Sequence, residues 1–459
     1  MELGCNRGKM GFNKTTDSQA ALDVDLNEKN PEIGEDYEPY NHEPAGKTAS
    51  YIEALLILVK ASVGTGVLGM PRAFYNAGYV LGTIGTVFAG ILTTVTVHLI
   101  SNSEHELCRR KRIPQMTYPE TVEAAFEYGP GNSRRFKNTA RIICYSALVL
   151  LEFGADCAYA IFIADNIKEI CDHIFSPAPV RFYLLCLLGP LILMCWIRNL
   201  KFLAPGSTLG TGCAIGCVGV VFYFIFSQPI TLEGRKAAGS LKDFALFFGQ
   251  VLFAFGAFGM IVPLKNRMRR PASFGSPFGV VNVAMVPNLV LYVIMGFFGY
   301  LAYGNQTKSS VTLNLPQTGF IGDLIRILMA GSIFTTYPLC NYIVVEQLWH
   351  KNLALRFEDN KRLIFWEYVF RTALTCANIA CCIAIPNLEL VMAFTGSLMV
   401  PTLGIWFPSI IYTLTFWNKY TGVKFAFFLS RTIIIMIVGV FASVISLSTT
   451  VREIYGTAF

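Results

Sequence analysis

Long apolar stretches, separated by short polar loops, dominate the pattern of this chain. Runs without Asp, Glu, Lys or Arg recur between residues 73 and 451. Each is long enough for a helix that crosses a ~30 Å hydrocarbon core, which needs about 20 apolar residues. The pattern therefore predicts an all-α membrane protein with about eleven transmembrane helices. The predicted spans are 52–75, 78–101, 140–166, 181–197, 207–227, 243–264, 279–303, 321–345, 365–386, 388–414 and 430–452.

Composition supports the same class of protein. Hydrophobic residues make up 53% of the chain and charged residues 15%, whereas a soluble domain carries roughly 25% charged residues. Residues 1–50 differ from the rest, because they are rich in Asp, Glu, Asn and Lys and poor in branched apolar residues. Such a segment cannot bury a core. We expect 1–50 to be a disordered cytosolic N-terminal tail and 51–455 to be the transmembrane domain.

The placement of basic residues predicts the topology. The net charge is +7, and basic clusters at 109–112, 265–270 and 351–362 fall in alternate loops. An excess of Lys and Arg in alternate loops marks the cytosolic side, so we expect a cytosolic N-terminus and an extracellular or lumenal C-terminus. The Asn-Gln-Thr pattern that begins at Asn305 then lies outside, where it is an acceptor for N-glycosylation.

Two of the predicted spans carry matching interruptions. The segment 64–71 in span one and the segment 256–263 in span six both run from a glycine to a proline over seven steps. Glycine loosens a helix and proline removes a hydrogen-bond donor, and a bilayer tolerates such backbone only where it faces protein or a watery cavity. Spans one and six cross in opposite directions, as two inverted five-span repeats require. A matched pair of broken helices indicates a solute-binding site between them.

The chemistry of the two breaks fits an amino acid. The start of the second half-helix presents peptide N–H groups and a positive dipole end, which suit a carboxylate. Freed carbonyl groups opposite would suit an ammonium group. The alternative is that the glycines merely allow close helix packing. The substrate-binding candidates are Gly64, Thr65 and Gly66 in span one, Phe255 and Gly256 in span six, and Thr336 and Tyr337 in span eight.

Span three carries two carboxyl groups. Glu152 and Asp156 lie four residues apart and therefore share one helix face. Charged residues within a span are functional candidates, and two carboxylates this close do not both stay ionised. We expect a proton or cation site here. The alternative is an interior pair satisfied by hydroxyl groups or by a cation such as Lys60 or Arg371.

Other kinds of chemistry find little support in the sequence. Gly64, Gly66 and Gly69 match the Gly-x-Gly-x-x-Gly fingerprint, but that motif needs a strand and a soluble βαβ unit to bind a dinucleotide. The cysteines lack the paired spacing of a zinc site, and no nucleophile lies beside a base. We therefore expect a protein that is not an enzyme and binds neither metal nor cofactor, with a proton gradient as the candidate driving force.

Several motifs resemble those of the proton-coupled amino acid transporters of the amino acid/auxin permease group, in particular insect-type members. This resemblance implies a leucine-transporter-like fold with broken helices one and six. It also implies small neutral amino acids such as glycine, alanine or proline as substrates, and residence in the plasma or lysosomal membrane. The matching stretches, in order within residues 50 to 455, are 58–60, 64–71, 164–166, 197–200, 246–249, 259–264 and 312–316.

Three positions depart from the pattern of the well-known members. Ile57 stands where they have a histidine linked to proton coupling, Gly256 stands where they have a glutamate, and Thr318 replaces an external disulfide cysteine. Glu152 and Asp156 fall where the familiar members are uncharged. The sequence thus leaves three hypotheses: a carrier coupled through these carboxyl groups, an uncoupled facilitator, and an amino acid sensor that signals with little flux.

Overall fold

Helices make up almost all of the part of the chain that the computed structural model describes, which comprises residues 37–42, 49–62, 64–174, 176–198, 200–256, 258–316, 320–353 and 362–458. Within these ranges no β-strand is present beyond an isolated bridge between Ala49 and Met268. In the first half the helices are α1 (Tyr51–Ser62), α2 (Thr65–Ala77), α3 (Tyr79–Lys111), α4 (Tyr118–Tyr128), α5 (Lys137–Ile174), α6 (Val180–Cys195) and α7 (Leu200–Phe226). In the second half they are α8 (Leu241–Ala254), α9 (Phe258–Arg267), α10 (Val280–Tyr303), α11 (Phe320–Val345), α12 (Leu363–Ala384), α13 (Leu388–Pro401), α14 (Phe407–Phe416) and α15 (Gly422–Ala458).

The predicted spans coincide with these helices. Eight helical stretches in the described ranges are long and apolar enough to cross a membrane. The other three predicted spans are helical as well. The first is divided between α1 and α2, the fourth is the 16-residue α6, and the ninth is α12. Spans one and six are the two that break, since α1 gives way to α2 and α8 gives way to α9 near the middle of each span.

Several helices extend beyond their predicted ends. Helix α3 continues to Lys111, ten residues past the predicted boundary. Its last turns are polar and self-supporting, because Arg110 pairs with Glu106 one turn earlier at 3.0 Å and basic residues suit the negative end of a helix. Charge limits the part of a helix that lies in lipid, but it does not end the helix itself.

Span ten also contains a feature that the sequence did not predict. Helices α13 and α14 are joined by Thr402–Trp406, a turn of π-helical width that follows Pro401. A proline inside a helix removes a hydrogen bond and crowds the preceding turn, and wide turns of this kind often occur at functional sites. The turn lies beside α9, because an added Cβ on Gly404 would be 2.3 Å from Cζ of Phe258.

Part of the predicted N-terminal tail packs against the helices. The ring of Tyr40 stacks on His105 with centroids 4.4 Å apart and lies 5.8 Å from Nζ of Lys265. Ala49 then forms backbone hydrogen bonds to the chain after α9, with its N–H donating to Arg267 at 3.1 Å and its carbonyl accepting from Arg269 at 2.9 Å. Residues 1–36 and 43–48 of the predicted tail lie outside the described residues.

Candidate functional site

The first break lies at the glycine end of the predicted motif. Helix α1 ends at Ser62, and α2 begins at Thr65 after Gly64, whose backbone is extended with φ −144° and ψ −151°. Thr65 is buried. Pro71 lies inside α2 and leaves it unbroken. It packs against α10 instead, because an added Cβ on Gly299 would be 2.5 Å from Cγ of Pro71.

The second break has the same form. Helix α8 ends at Ala254, and α9 begins at Phe258. Between them the N–H of Phe255 donates to Val251 at 3.1 Å and the N–H of Gly256 donates to Phe253 at 2.9 Å, which closes the last turn of α8. The chain therefore leaves the helical path at the residues that the sequence predicted.

The structure brings the two breaks together. An added Cβ on Gly66 would lie 2.7 Å from Cα and 2.9 Å from Cβ of Ala254. The first turn of α2 is thus in direct contact with the last turn of α8. Gly66 was predicted from the sequence, whereas Ala254 was missed, because nothing in an isolated alanine marks it as the contact point.

Tyr292 on α10 holds the second break in place. Its hydroxyl group donates to the Ala254 carbonyl at 2.8 Å, and its ring lies 4.9 Å from that of Phe255. The Phe255 side chain also reaches α3, since its Cζ would be 3.2 Å from a Cβ added to Gly90. The backbone of Phe255 lies at the break, while its ring packs against α3 and α10.

The span-eight candidates lie in a different environment. The Thr336 hydroxyl group donates to the Ser332 carbonyl one turn earlier at 2.9 Å. Tyr337 is fully buried, and its hydroxyl group donates to Oδ1 of Asn378 on α12 at 3.2 Å. The Tyr337 hydroxyl therefore joins α11 to α12. A role of either residue in lining a substrate cavity stays a prediction.

The carboxyl groups of span three connect with the second break. Glu152 on α5 is half-buried, and its Oε1 would be 2.9 Å from a Cβ added to Gly259 in the first turn of α9. An anion at this position is favoured by the helix dipole. The Cys340 thiol on α11 is within hydrogen-bonding reach of the same carboxylate. Glu152 thus stands where the second half of span six begins.

Asp156 lies one turn further along α5 and is fully buried. Its Oδ2 accepts a hydrogen bond from Nδ2 of Asn341 at 3.5 Å. Arg371, one of the cations considered from the sequence, is engaged by Glu367 at 3.0 Å. The Lys60 side chain lies outside the described part of the structure.

Ion pairs lie on both sides of the region around the breaks. We call the end that carries Asn305 the outer end and the end that carries residues 37–42 the inner end. At the outer end, Nε of Arg72 on α2 lies 2.7 Å from Oε2 of Glu389 on α13. At the inner end, Nζ of Lys265 on α9 lies 2.5 Å from Oε2 of Glu104 on α3, and both side chains are buried.

Comparison with known proteins identifies the family. A model of the transmembrane amino acid transporter protein family matches residues 47–452. The chain belongs to this family. It is 31% identical over 422 residues to the proton-coupled amino acid transporter-like protein pathetic of Drosophila melanogaster. The aligned region covers 92% of this chain and 88% of the fly protein. It is also 27% identical over 319 residues to vacuolar amino acid transporter 4 of Saccharomyces cerevisiae, covering 67% of this chain and 42% of the yeast protein.

Solved structures share the fold of this amino acid transporter family member. The inward-facing conformation of Mhp1 superposes with a TM-score of 0.54 at 11% identity, covering 90% of this chain and 93% of Mhp1. The structure of MhsT in complex with L-phenylalanine superposes with a TM-score of 0.50 at 13% identity, covering 91% of this chain and 100% of MhsT. The predicted leucine-transporter-like fold is confirmed. The protein is an integral multi-pass membrane protein, and its relatives are transporters rather than enzymes.

The glycosylation candidate is accessible in this fold. Asn305 is exposed in the turn after α10. Thr307, the third residue of the pattern, is buried, and its hydroxyl group donates to Gly304. Glycosylation at Asn305 stays a prediction.

Proposed function

We propose that this transporter is a secondary active carrier of small neutral amino acids, such as glycine, alanine and proline, which bind between the breaks of spans one and six. The observation that carries the proposal is the contact between Gly66 and Ala254. It brings the start of α2 against the end of α8, and α1 ends and α9 begins within a few residues of these two positions. We infer that peptide N–H groups and carbonyl groups of both breaks face a bound amino acid.

The polarity of the half-helices assigns the two ends of the substrate. The amino-terminal ends of α2 and α9 offer N–H groups and positive dipole ends, and a carboxylate is favoured at such an end. We place it at Gly64, Thr65 and Gly66, because Glu152 already occupies the start of α9. The ammonium group then meets carbonyl groups at Phe255 and Gly256, since the Ala254 carbonyl is held by Tyr292.

The close approach of the two breaks and the charge beside them favour small neutral substrates. Gly66 and Ala254 touch with only hydrogen and methyl side chains between them, and we infer a small substrate beside this contact. Among the described residues, the charged side chain that reaches the breaks is Glu152. A substrate with a second negative charge would be repelled by it.

The two ion pairs support a mechanism of alternating access. The Arg72–Glu389 pair joins α2 to α13 at the outer end, and the Lys265–Glu104 pair joins α9 to α3 at the inner end. Transport requires these contacts to separate in turn while the breaks stay together. We place the N-terminus in the cytosol, in a plasma or lysosomal membrane, with transport coupled to protons through the carboxyl groups of α5.

Uptake by proteoliposomes tests this function. We expect saturable uptake of radiolabelled glycine, alanine or proline, accelerated by an inward proton gradient. Thr65→Val should remove saturable uptake, because the buried hydroxyl group at the first break is lost. Thr83→Val is the matched control, since the Thr83 hydroxyl group donates to its own helix at Tyr79. Normal uptake by Thr65→Val would contradict the site, and uptake that ignores the gradient would identify a facilitator.

A further inference from the structure

Asp156 and Asn341 form a buried pair between α5 and α11. Neither side chain is exposed to more than 1%. Nδ2 of Asn341 donates to Oδ2 of Asp156. The second oxygen of each group, Oδ1 of Asp156 and Oδ1 of Asn341, has no hydrogen-bond partner. Two planar groups therefore share one hydrogen bond and leave two buried oxygens unsatisfied.

A single bound proton would give both unsatisfied oxygens a hydrogen bond. An ionised carboxylate and an amide oxygen can only accept hydrogen bonds, so they cannot bond to each other. A proton bound to Oδ1 of Asp156 turns that atom into a donor, and the O–H can then donate to Oδ1 of Asn341. The carboxylic acid and the carboxamide would exchange two hydrogen bonds, and every polar atom of the pair would be satisfied.

The surroundings of Asp156 favour the neutral acid. A buried carboxylate requires a cation or several hydrogen bonds, and no ion pair among the described residues includes Asp156. Arg371 on the neighbouring α12 is bound to Glu367 and to the Cys195 carbonyl. The titratable groups that face Asp156 carry no positive charge: Glu152, Cys157 and Tyr159 on its own helix, Tyr337 and Cys340 on α11, and Cys195 on α6.

The two carboxyl groups of α5 thus differ in burial and in the groups that they contact. Glu152 is half-buried and reaches the first turn of α9. Asp156 is one turn behind it, shielded from water and paired with an amide. The pair of Asp156 and Asn341 gains one hydrogen bond when a proton is bound, and it couples that gain to the contact between α5 and α11.

We propose that Asp156 is the group that holds the coupled proton, and that Asn341 is a positioning residue that stabilises its protonated form. The inference rests on the proposed carrier function and assigns its coupling site. A proton enters at Oδ1 of Asp156 from the side of higher proton concentration, closes the pair with Asn341, and leaves to the other side once the ion pair at that side has separated. No other atom is gained or lost.

Proton flux measured with a pH-sensitive dye inside proteoliposomes, beside amino acid flux, tests the assignment. In the wild type, added alanine should carry protons with it. Asp156→Asn should move alanine downhill without protons, because an amide pair keeps the hydrogen bonds but cannot titrate. The exchanged variant, Asp156→Asn with Asn341→Asp, should regain proton flux, which guards against loss by misfolding.

The role of Asn341 has its own readout. Asn341→Leu removes one hydrogen bond from the carboxylate but two from the acid, so half-maximal coupling should need a proton concentration that is higher by up to about tenfold. Asn166→Leu is the matched control. Asn166 is also a buried amide on α5 with one unsatisfied oxygen, but it bonds to its own helix at Phe162, so its loss should not change that concentration.

Infrared spectroscopy provides a readout that does not depend on transport. The C=O stretch of a protonated, buried carboxylic acid should be present in the wild type and absent in Asp156→Asn. Proton flux that persists in Asp156→Asn would overturn the assignment. If that flux were abolished by Glu152→Gln, the coupling site would be Glu152 instead. A wild type that moves alanine but no protons overturns the coupling site alone, and one that moves no amino acid overturns the carrier function as well.

Discussion

Gly66 lies against the backbone of Ala254, so that the residue just after one helix break touches the residue just before the other. The space available to a side chain at Gly66 is filled by main-chain and methyl atoms of Ala254. Backbone cannot move aside as a flexible side chain can. The relative position of the two broken spans therefore depends on this glycine.

Gly66→Ala should separate the two breaks and remove transport. The new methyl group would be 2.7 Å from Cα of Ala254, and relief requires one half-helix to shift. Gly219→Ala on α7 is the control, because Gly219 lies away from the breaks and its added Cβ would meet nothing within 4 Å. Uptake in proteoliposomes should fall at least about tenfold for Gly66→Ala and stay close to wild type for Gly219→Ala. Equal uptake by both variants would contradict the contact.

The outer ion pair should contribute measurably to stability. Glu389 accepts from Arg72 at 2.7 Å and from Asn76 at 2.6 Å, and its carboxylate is largely buried. Glu389→Gln should destabilise the protein by about 1–3 kcal/mol, since it leaves Arg72 without its counter-ion in a partly buried site.

Melting temperatures in detergent measure this effect, with Arg72→Gln and the double variant completing a mutant cycle. Glu106→Gln, which breaks a more exposed pair with Arg110, should change stability by less than about 1 kcal/mol. Additive effects of the two substitutions at the outer end would show that the pair is not coupled.

The inner ion pair should be more sensitive, because it is more deeply buried. Lys265 also donates to the Ser101 carbonyl at 2.9 Å. Lys265→Met leaves Glu104 buried and unpaired, which should destabilise the protein by about 3–5 kcal/mol. Adding Glu104→Met should restore much of the loss, because no buried charge then remains. A double variant no more stable than Lys265→Met would contradict this explanation.

Acid should weaken the contacts of α4 near the inner end. The hydrogen bond from Lys137 holds the pKa of Glu127 below its usual value, with Lys111 adding to the effect. A carboxyl group whose pKa is lowered by folding contributes stability that is present above about pH 4.5 and is lost as the pH falls through the lowered pKa.

Thermal unfolding at pH 7 and at acid pH should therefore differ less in Glu127→Gln than in the wild type. Glu120→Gln is the comparison on the same helix. Glu120 caps the start of the helix by accepting a hydrogen bond from the Thr117 N–H, and it has no basic partner among the ion pairs of the described residues. If Glu127→Gln keeps the full acid sensitivity of the wild type, this carboxyl group is not its source.

The sequence predicted those features of the fold that depend on local composition. Apolar runs located the spans, and glycines within them located the breaks at Gly64 and Gly256, because backbone loosening is a local property. The prolines were less informative, since Pro71 lies within a continuous helix and packs against Gly299. The ends of α3 and α15 were placed too early because charge was taken to end a helix as well as a span.

The contacts that complete the site depend on residues far apart in the chain. Arg72 and Glu389 are separated by 317 residues, and Lys265 and Glu104 by 161. Tyr292 is an ordinary aromatic residue of an apolar span until the fold brings its hydroxyl group to the Ala254 carbonyl. Spacing along one helix placed Glu152 and Asp156 on the same face, but it could not show that Asn341 donates a hydrogen bond to Asp156.

The peptide hydrogen bonds of Ala49 have a mechanical consequence. They join the chain just before α1 to the chain just after α9, so the two inner half-helices are fastened together at their free tips. We expect a movement of either one toward or away from the bundle to carry the other with it. In the proposed transport cycle, α1 and α9 would then open the inner side together, as one unit held by two peptide hydrogen bonds.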